Sequence, residues 1–282
     1  MALRVGWVVC MALLLGGCHG ALHRLPQVAA ADIDAARIDL QADTAGTPVR
    51  RLSRRQAHRT LWQAIRRVHR AGVEVCREIA VGPCDWRYVA VRDRSLNGAA
   101  GIDGEILVNL GVVEQADSEE EVCLVIAHEM AHLAANHPAI AWRFEKAGWE
   151  IGWRIGHALD AFSGFGGGRG GMFTALGVAY GRWIGSRLWS RQREREADTI
   201  AALIAHRAGL DLDKARGLGL KLAHGHGHGH GHGHGHERSG PFDTHPLGAE
   251  RLAVVDRAIA NARATGGRLP PRLDWPLAGL PR

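Results

Sequence analysis

Two pairs of potential metal-ligating side chains, each spaced four residues apart, constrain this 282-residue chain more than anything else in it: His128 with His132, and Glu194 with Asp198. A helix turns once every 3.6 residues, so each pair projects from a single helix face. In His128-Glu129-Met130-Ala131-His132 the two imidazoles aim at one ion. Glu129 is rotated by about 100°, which lets it reach a water beside that ion rather than the ion itself. Two neutral nitrogen ligands and a neighbouring carboxylate are what a zinc hydrolase needs. Taken alone, the pattern also fits an exposed helix face bearing two histidines.

The context favours the metal. Ser118-Glu119-Glu120-Glu121 reads as a capping box, and Val122, Val125, Ile126 and Met130 follow as an apolar stripe at helical spacing. Pro138 is expected to stop this half-buried helix. A third protein ligand is required if the fourth position is to stay open for water. His137 is too close and wrongly phased, and position 135 is alanine rather than the glycine of the three-histidine pattern. In Arg193-Glu194-Arg195-Glu196-Ala197-Asp198, Glu194 and Asp198 share a face, so one can bind zinc while the other accepts the outer N–H of a ligand histidine. Ala197, Ile200, Ala201 and Ile204 give that helix a buried side, and Glu196 reads as a surface charge.

His-Glu-Met-Ala-His followed by Glu-Arg-Glu-Ala-Asp resembles the HExxH/ExxxD gluzincin metallopeptidases that include the CAAX prenyl endopeptidase, HtpX and periplasmic quality-control proteases of the BepA and LoiP type, and implies a periplasmic lipoprotein member. The resemblance covers roughly residues 50–265. It implies one Zn2+ per chain held by His128, His132 and Glu194, with Asp198 orienting a ligand and Glu129 as general base. Thr244-His245-Pro246, with Arg251 beyond it, is similar to the same family. The resemblance places His245 at the active site, either as donor to the oxyanion or as a latch on the open zinc position. Asn97 and the run Gly98, Ala99 and Ala100, ahead of Ile106 to Asn109, resemble an edge strand that pairs with substrate. The fold implied is α+β and mainly helical: a zincin-like metallopeptidase domain with a small β-sheet beside the HExxH helix.

Ahead of that domain, Arg4 and the apolar run Val5 to Leu15 form a signal peptide, too short to span a bilayer. Leu15-Gly16-Gly17-Cys18 resembles a bacterial lipobox, which makes residues 1–17 the signal and Cys18 a lipidated N-terminus. His19 rather than Asp follows it, which favours the outer membrane. Residues 18–49 read as a polar tether, and a basic helix over Arg51 to Arg70 offers a solvated arginine face. A net charge of +6 is mild for this length, and no nucleic-acid-binding motif is present. Cys10 leaves with the signal and Cys18 is lipidated, so Cys76 and Cys84 remain to form a disulfide. Cys123, on the zinc helix, reads as a buried free thiol. Tyr88 to Val91 and Ile106 to Leu110 are strand-like, with Gly101 and Gly104 turning between them.

Two segments stand apart. Over Ala141 to Ser190, Gly148, Gly152 and Gly156 recur at four-residue spacing, as do Gly177, Gly181 and Gly185, around a glycine-rich loop at 164–171. Five of the nine tryptophans fall here, and the longest charge-free run, Gly170 to Gly181, is too short to cross a membrane. The segment reads as a soluble or interfacial helical hairpin that serves as a lid or a wall of the substrate channel. His224 to His236 alternates histidine with glycine and cannot form a core. It is either a gatherer of extra divalent metal or a tolerated repeat expansion. Residues 266–282 read as a loosely packed, proline-rich tail.

The functional expectation is a lipid-anchored zinc endopeptidase of the periplasmic face that cleaves unfolded or misassembled envelope proteins. A latched protease-fold chaperone or scaffold and a metal-binding lipoprotein are the alternatives.

Overall fold

The computed structural model describes residues 21–43, 52–163, 171–187, 190–223 and 248–273. In chain order the first elements are α1 (Ala30–Ala42), α2 (Arg54–Ile79), β1 (Arg87–Val91), β2 (Gly98–Ala100), β3 (Glu105–Asn109), α3 (Leu110–Gln115) and α4 (Glu119–Ala134). There follow α5 (His137–Ser163), α6 (Met172–Arg187), α7 (Ser190–Arg207), α8 (Leu212–Ala215), α9 (Gly217–Ala223) and α10 (Ala249–Thr265). The chain divides into two compact units, with His137–Arg193 in one and Ala21–Asn136 with Glu194–Arg282 in the other. The architecture is the expected one, mainly helical with a small sheet.

In the larger unit α2 is set by its cap. Ser53 accepts from the backbone N–H of Gln56, and the Gln56 side chain returns the bond to Ser53. Leu61, Ile65, Val68 and Val75 then recur on one side and bury against the core. The helix runs past Arg70, the expected end, to Ile79, because that apolar spacing continues; it stops where Ala80 turns left-handed at φ 54°. Against α2 packs α4, the helix carrying both histidines. It is not half-buried as expected: every residue from Glu121 to Ala134 is buried. At its start Ser118 accepts from the N–H of Glu121 at 3.2 Å, but Glu121 does not complete the box on Ser118. Its carboxylate instead accepts from the N–H of Asp117 and pairs with the buried ammonium of Lys221 on α9. Pro138 does not stop α4, which ends at Ala134 with Asn136 left-handed at φ 57°. Pro138 occupies the first turn of the next helix, where its missing N–H costs nothing.

The sheet has strand order β1-β3-β2. The two strands anticipated from the sequence, β1 and β3, are parallel, with Tyr88 opposite Ile106 and Val91 opposite Asn109. The hairpin partner of β3 is β2, reached through the Gly101–Gly104 turn, in which Gly104 takes φ 82°. Ile106 and Val108 of β3 face the core.

Residues 21–43 correct the expected tether. Burial of Ala36 docks α1 on α10, and Arg257 bonds Asp32 at 2.7 Å. Ahead of α1, the backbone N–H groups of Leu22 and His23, and the His23 ring, all bond the Glu196 carboxylate. Glu196 is therefore no surface charge; it is fully buried, because this segment satisfies it. The tail is likewise not loose as far as Leu273: Arg24 donates to the Pro271 carbonyl and Leu273 to that of Leu22, both at 2.9 Å.

The Cys76–Cys84 disulfide is formed, and Cys123 is a buried free thiol whose pKa burial pushes up to about 12. The disulfide closes the loop that carries Gly82. The Gly82 N–H caps α4 by donating to the Ala134 carbonyl at 3.1 Å, and a Cβ at Gly82 would lie 1.7 Å from the Leu133 carbonyl oxygen.

The smaller unit is a hairpin of α5 and α6 whose backbones touch through glycine. A Cβ at Gly152 would meet the Gly177 carbonyl oxygen at 2.0 Å, and one at Gly181 the Gly148 carbonyl oxygen at 2.1 Å. The recurrent glycines are thus the contact between these two helices. Among the described residues no helix is long and apolar enough to cross a membrane.

Because the disulfide closes the loop that caps the α4 terminus, replacing Cys76 and Cys84 together by serine should lower unfolding stability by about 2–3 kcal/mol. Urea denaturation followed by circular dichroism reads this directly.

Candidate active site

Two elements of the larger unit supply the first contacts. From α4, His128 and His132 bring their Nε2 atoms to 3.0 Å of each other. From α7, Glu194 places its two carboxylate oxygens 3.4 Å from those same nitrogens, one against each ring. The three residues offer ligand atoms that all lie within 4.8 Å of one another. Two imidazoles and one carboxylate converging on one point are the donor set of a catalytic zinc site, with room left for a water.

Asp198, one turn beyond Glu194, accepts from His128 Nδ1 at 3.0 Å. That bond fixes the ring with its Nε2 toward Glu194 and His132, the orienting role such sites require. Glu194 therefore faces the Nε2 atoms of both imidazoles, while Asp198 stands behind His128. Burial opposes a charge on His128, but its hydrogen bonds to the Asp198 and Glu194 carboxylates outweigh it and hold its pKa up at about 10.

Sequence reasoning did not assign a role to Arg251. It is buried at 5% exposure on the first turns of α10, with Nη2 2.8 Å from Asp198 Oδ1 and Nη1 3.4 Å from Glu194 Oε2. Burial works against its charge, while Asp198 and Glu194 sustain it. An arginine within an otherwise inward-facing apolar stripe, beside Leu252 and Val255, was the signal available for that role.

Glu129 is 3% exposed and faces the start of β2: a Cβ at Gly98 would lie 3.0 Å from both Glu129 Cγ and Oε1. Glycine at position 98 thus lets the outermost strand of the sheet lie against this carboxylate. Ala99 is exposed on that strand and Ala100 partly so. Beside Glu129 and His128 opens a cavity whose wall is apolar, formed by Leu124, Val125, Leu218, Leu222 and Val255, with Asn97 and Gly98 at the strand side. Cys18, His224 to His236 and His245 lie outside the described residues.

The family model described as Peptidase family M48 matches residues 63–259, which include the histidine helix, the Glu194 helix and Arg251. The chain belongs to peptidase family M48. Among curated M48-like relatives it is similar to the beta-barrel assembly-enhancing protease of Escherichia coli strain K12, at 24% identity over 128 residues. It is also similar to the protein of the same name in Yersinia pestis, at 24% identity over 126 residues. Each match covers 45% of this chain and 26% of the relative, so the chain spans about a quarter of those proteins' length. The His128, His132 and Glu194 cluster, which could hold a metal ion, lies within the residues that the family model matches.

Zinc titration separates the roles of the two carboxylates. With residues 224–236 removed so that their histidines do not bind the probe, Asp198→Asn should weaken zinc binding by about 10–100-fold. Glu194→Ala should abolish tight binding altogether.

Proposed function

We propose that this M48 member is a zinc-dependent endopeptidase that cleaves unfolded or misassembled cell-envelope proteins. The observation that carries the proposal is the position of Glu129, buried between the two histidines of its own helix and the edge strand at Gly98. The base thereby sits beside both the ligand cluster and the backbone available to a substrate.

In this reading His128, His132 and Glu194 hold the ion, Asp198 keeps His128 in its binding tautomer, and Arg251 balances the two acidic side chains behind it. Zinc, when bound, polarises the scissile carbonyl and acidifies the attacking water. Glu129 takes that water's proton and delivers it to the leaving amine. The substrate lies extended along β2, its backbone adding a strand to Gly98–Ala100. An edge strand recognises any extended main chain, and the apolar cavity beside Glu129 receives a hydrophobic side chain. Both requirements are met by an unfolded polypeptide and refused by a folded one. His245, with the neutral or protonated imidazole that suits an oxyanion, is assigned as the further active-site donor. Cys18 is assigned as the lipid anchor that holds the domain at the periplasmic face.

The relatives' name, which describes a protease that enhances β-barrel assembly, supports a substrate within the cell envelope.

The test is degradation of reduced casein by the chain without residues 224–236, set beside its Glu129→Gln variant, with zinc content measured on both. Cleavage should fall by about 10²–10⁴-fold in the variant, the usual worth of a general base, while both retain one zinc. Equal cleavage by the two proteins would remove Glu129 from the mechanism. No cleavage by either at full zinc occupancy would reject the protease in favour of a closed scaffold.

A further inference from the structure

The hairpin unit presents a surface that the peptidase reading leaves unused. Of the thirteen exposed large hydrophobic side chains among the described residues, ten lie between Trp142 and Tyr180, within the two helices of this one unit. Glycine contact holds these helices backbone to backbone, and the faces turned away from that contact carry most of the large apolar side chains. The apolar residues are therefore turned outward by the packing itself.

They follow an order. Toward the end where α5 passes into α6, Ile155, Leu159, Phe162, Met172 and Leu176 are 49–92% exposed. Farther from that end stand Trp149, Trp153 and Tyr180, at 43%, 41% and 63%. Farther still, Lys146 lies over the Trp142 ring at 5.2 Å, with Arg143 alongside in sequence. Across the described residues 155–162 and 171–180 the acidic and basic side chains are His157, exposed and stacked on Trp153 with ring centroids 4.9 Å apart, and Asp160, which is hidden. Its carboxylate caps α6, accepting from the N–H groups of Phe173 and Thr174 at 3.1 and 2.8 Å and from the Thr174 hydroxyl at 2.6 Å.

We infer that this hairpin is a second membrane contact, separate from any lipid on Cys18, and that its outer end embeds in one leaflet of a bilayer. A protein partner would require one complementary face. Here the outward side chains form stripes on more than one side: Ile151, Ile155 and Leu159 on one line of α5, Trp149 and Trp153 on another, and Met172, Leu176 and Tyr180 along α6. A solvent-like apolar medium matches such a surface: an end of aliphatic side chains gives way to a zone where Trp149, Trp153 and Tyr180 stand with Glu150 and Arg154, the mixed aromatic and charged character of the boundary between acyl chains and headgroups. Neither helix is long and apolar enough to span, so the hairpin enters one side. The inference does not depend on the metal site.

The test uses the full chain with Cys10 and Cys18 changed to alanine and phosphatidylcholine vesicles, with and without phosphatidylglycerol. A nitrobenzoxadiazole probe on Phe162→Cys reports the hairpin itself, independent of the N-terminal apolar segment. Its emission should rise and shift to the blue on adding vesicles, and lipids brominated in the acyl chain should quench it. Separately, Leu159→Asp with Phe162→Asp should reduce vesicle partition by more than about tenfold, with an unchanged circular dichroism spectrum and urea midpoint as the check on folding. A probe that stays in water, or a double variant that partitions like its parent, overturns the inference. So does concentration-dependent self-association that the double variant abolishes while vesicles have no effect, since the surface then belongs to a second copy.

Discussion

Glu129, Glu194 and Asp198 bring three carboxylates into a space where none is more than 7% exposed. A carboxylate buried without partners either takes up a proton or forces the site open. Here the partners are built into the neighbouring helices. His128 lies between Glu194 and Asp198, His132 faces Glu194, and the Arg251 guanidinium touches both acids from α10. The mutual position of α4, α7 and α10 thus follows from the need to balance this charge as much as from apolar packing.

The helix α7 shows how one short sequence serves three surroundings. Glu194 and Asp198 share one face and meet the histidines. Ala197, Ile200, Ala201 and Ile204 enter the core. Glu196, about 200° around the helix from Glu194 at the ordinary period, binds the backbone and ring of the segment at Leu22 and His23. A helix held on all sides has little freedom to rotate, and rotation is what would carry Glu194 away from the two imidazoles. The N-terminal segment therefore contributes to the site without approaching it. The capping of α4 by the Gly82 loop, closed by its disulfide, does the same for the histidine helix.

What was legible in the sequence was the local chemistry with a fixed period. The four-residue spacing of His128 and His132, and of Glu194 and Asp198, determines a shared face wherever a helix forms, and the structure brings three of the four to one point. The disulfide followed from counting cysteines. What escaped were partnerships between residues far apart in the chain. Nothing near Glu196 announces that a backbone 173 residues away will use its carboxylate, so a charged neighbour of charged residues read as solvated. The same holds for residues 21–43, whose polar composition resembles a tether although Asp32 and Ala36 have partners on α10. Arg251 was visible within a motif, but its role required knowing that α10 crosses the acidic face of α7. For β1 and β3, alternation identified strands while leaving their direction open. Parallel pairing became evident only when β2 was seen to take the hairpin position.

The hairpin shows a different limit. Glycine spacing correctly marks where α5 and α6 touch, yet it says nothing of the medium around them. In the core of the larger unit, apolar side chains at helical spacing are buried by neighbouring helices: Val68 and Val75 on α2 and Ile126 on α4 are each at most 1% exposed. On α5 the same residue types at the same spacing are 40–60% exposed, as Ile151, Ile155 and Leu159 are, because the contact face is taken by glycine. Periodicity therefore records the presence of an apolar surface, and the identity of the residues between the stripes decides whether protein can fill it. Alanines and leucines between stripes admit another helix as a neighbour. Glycine admits backbone alone, and so sends the apolar side chains to whatever lies outside.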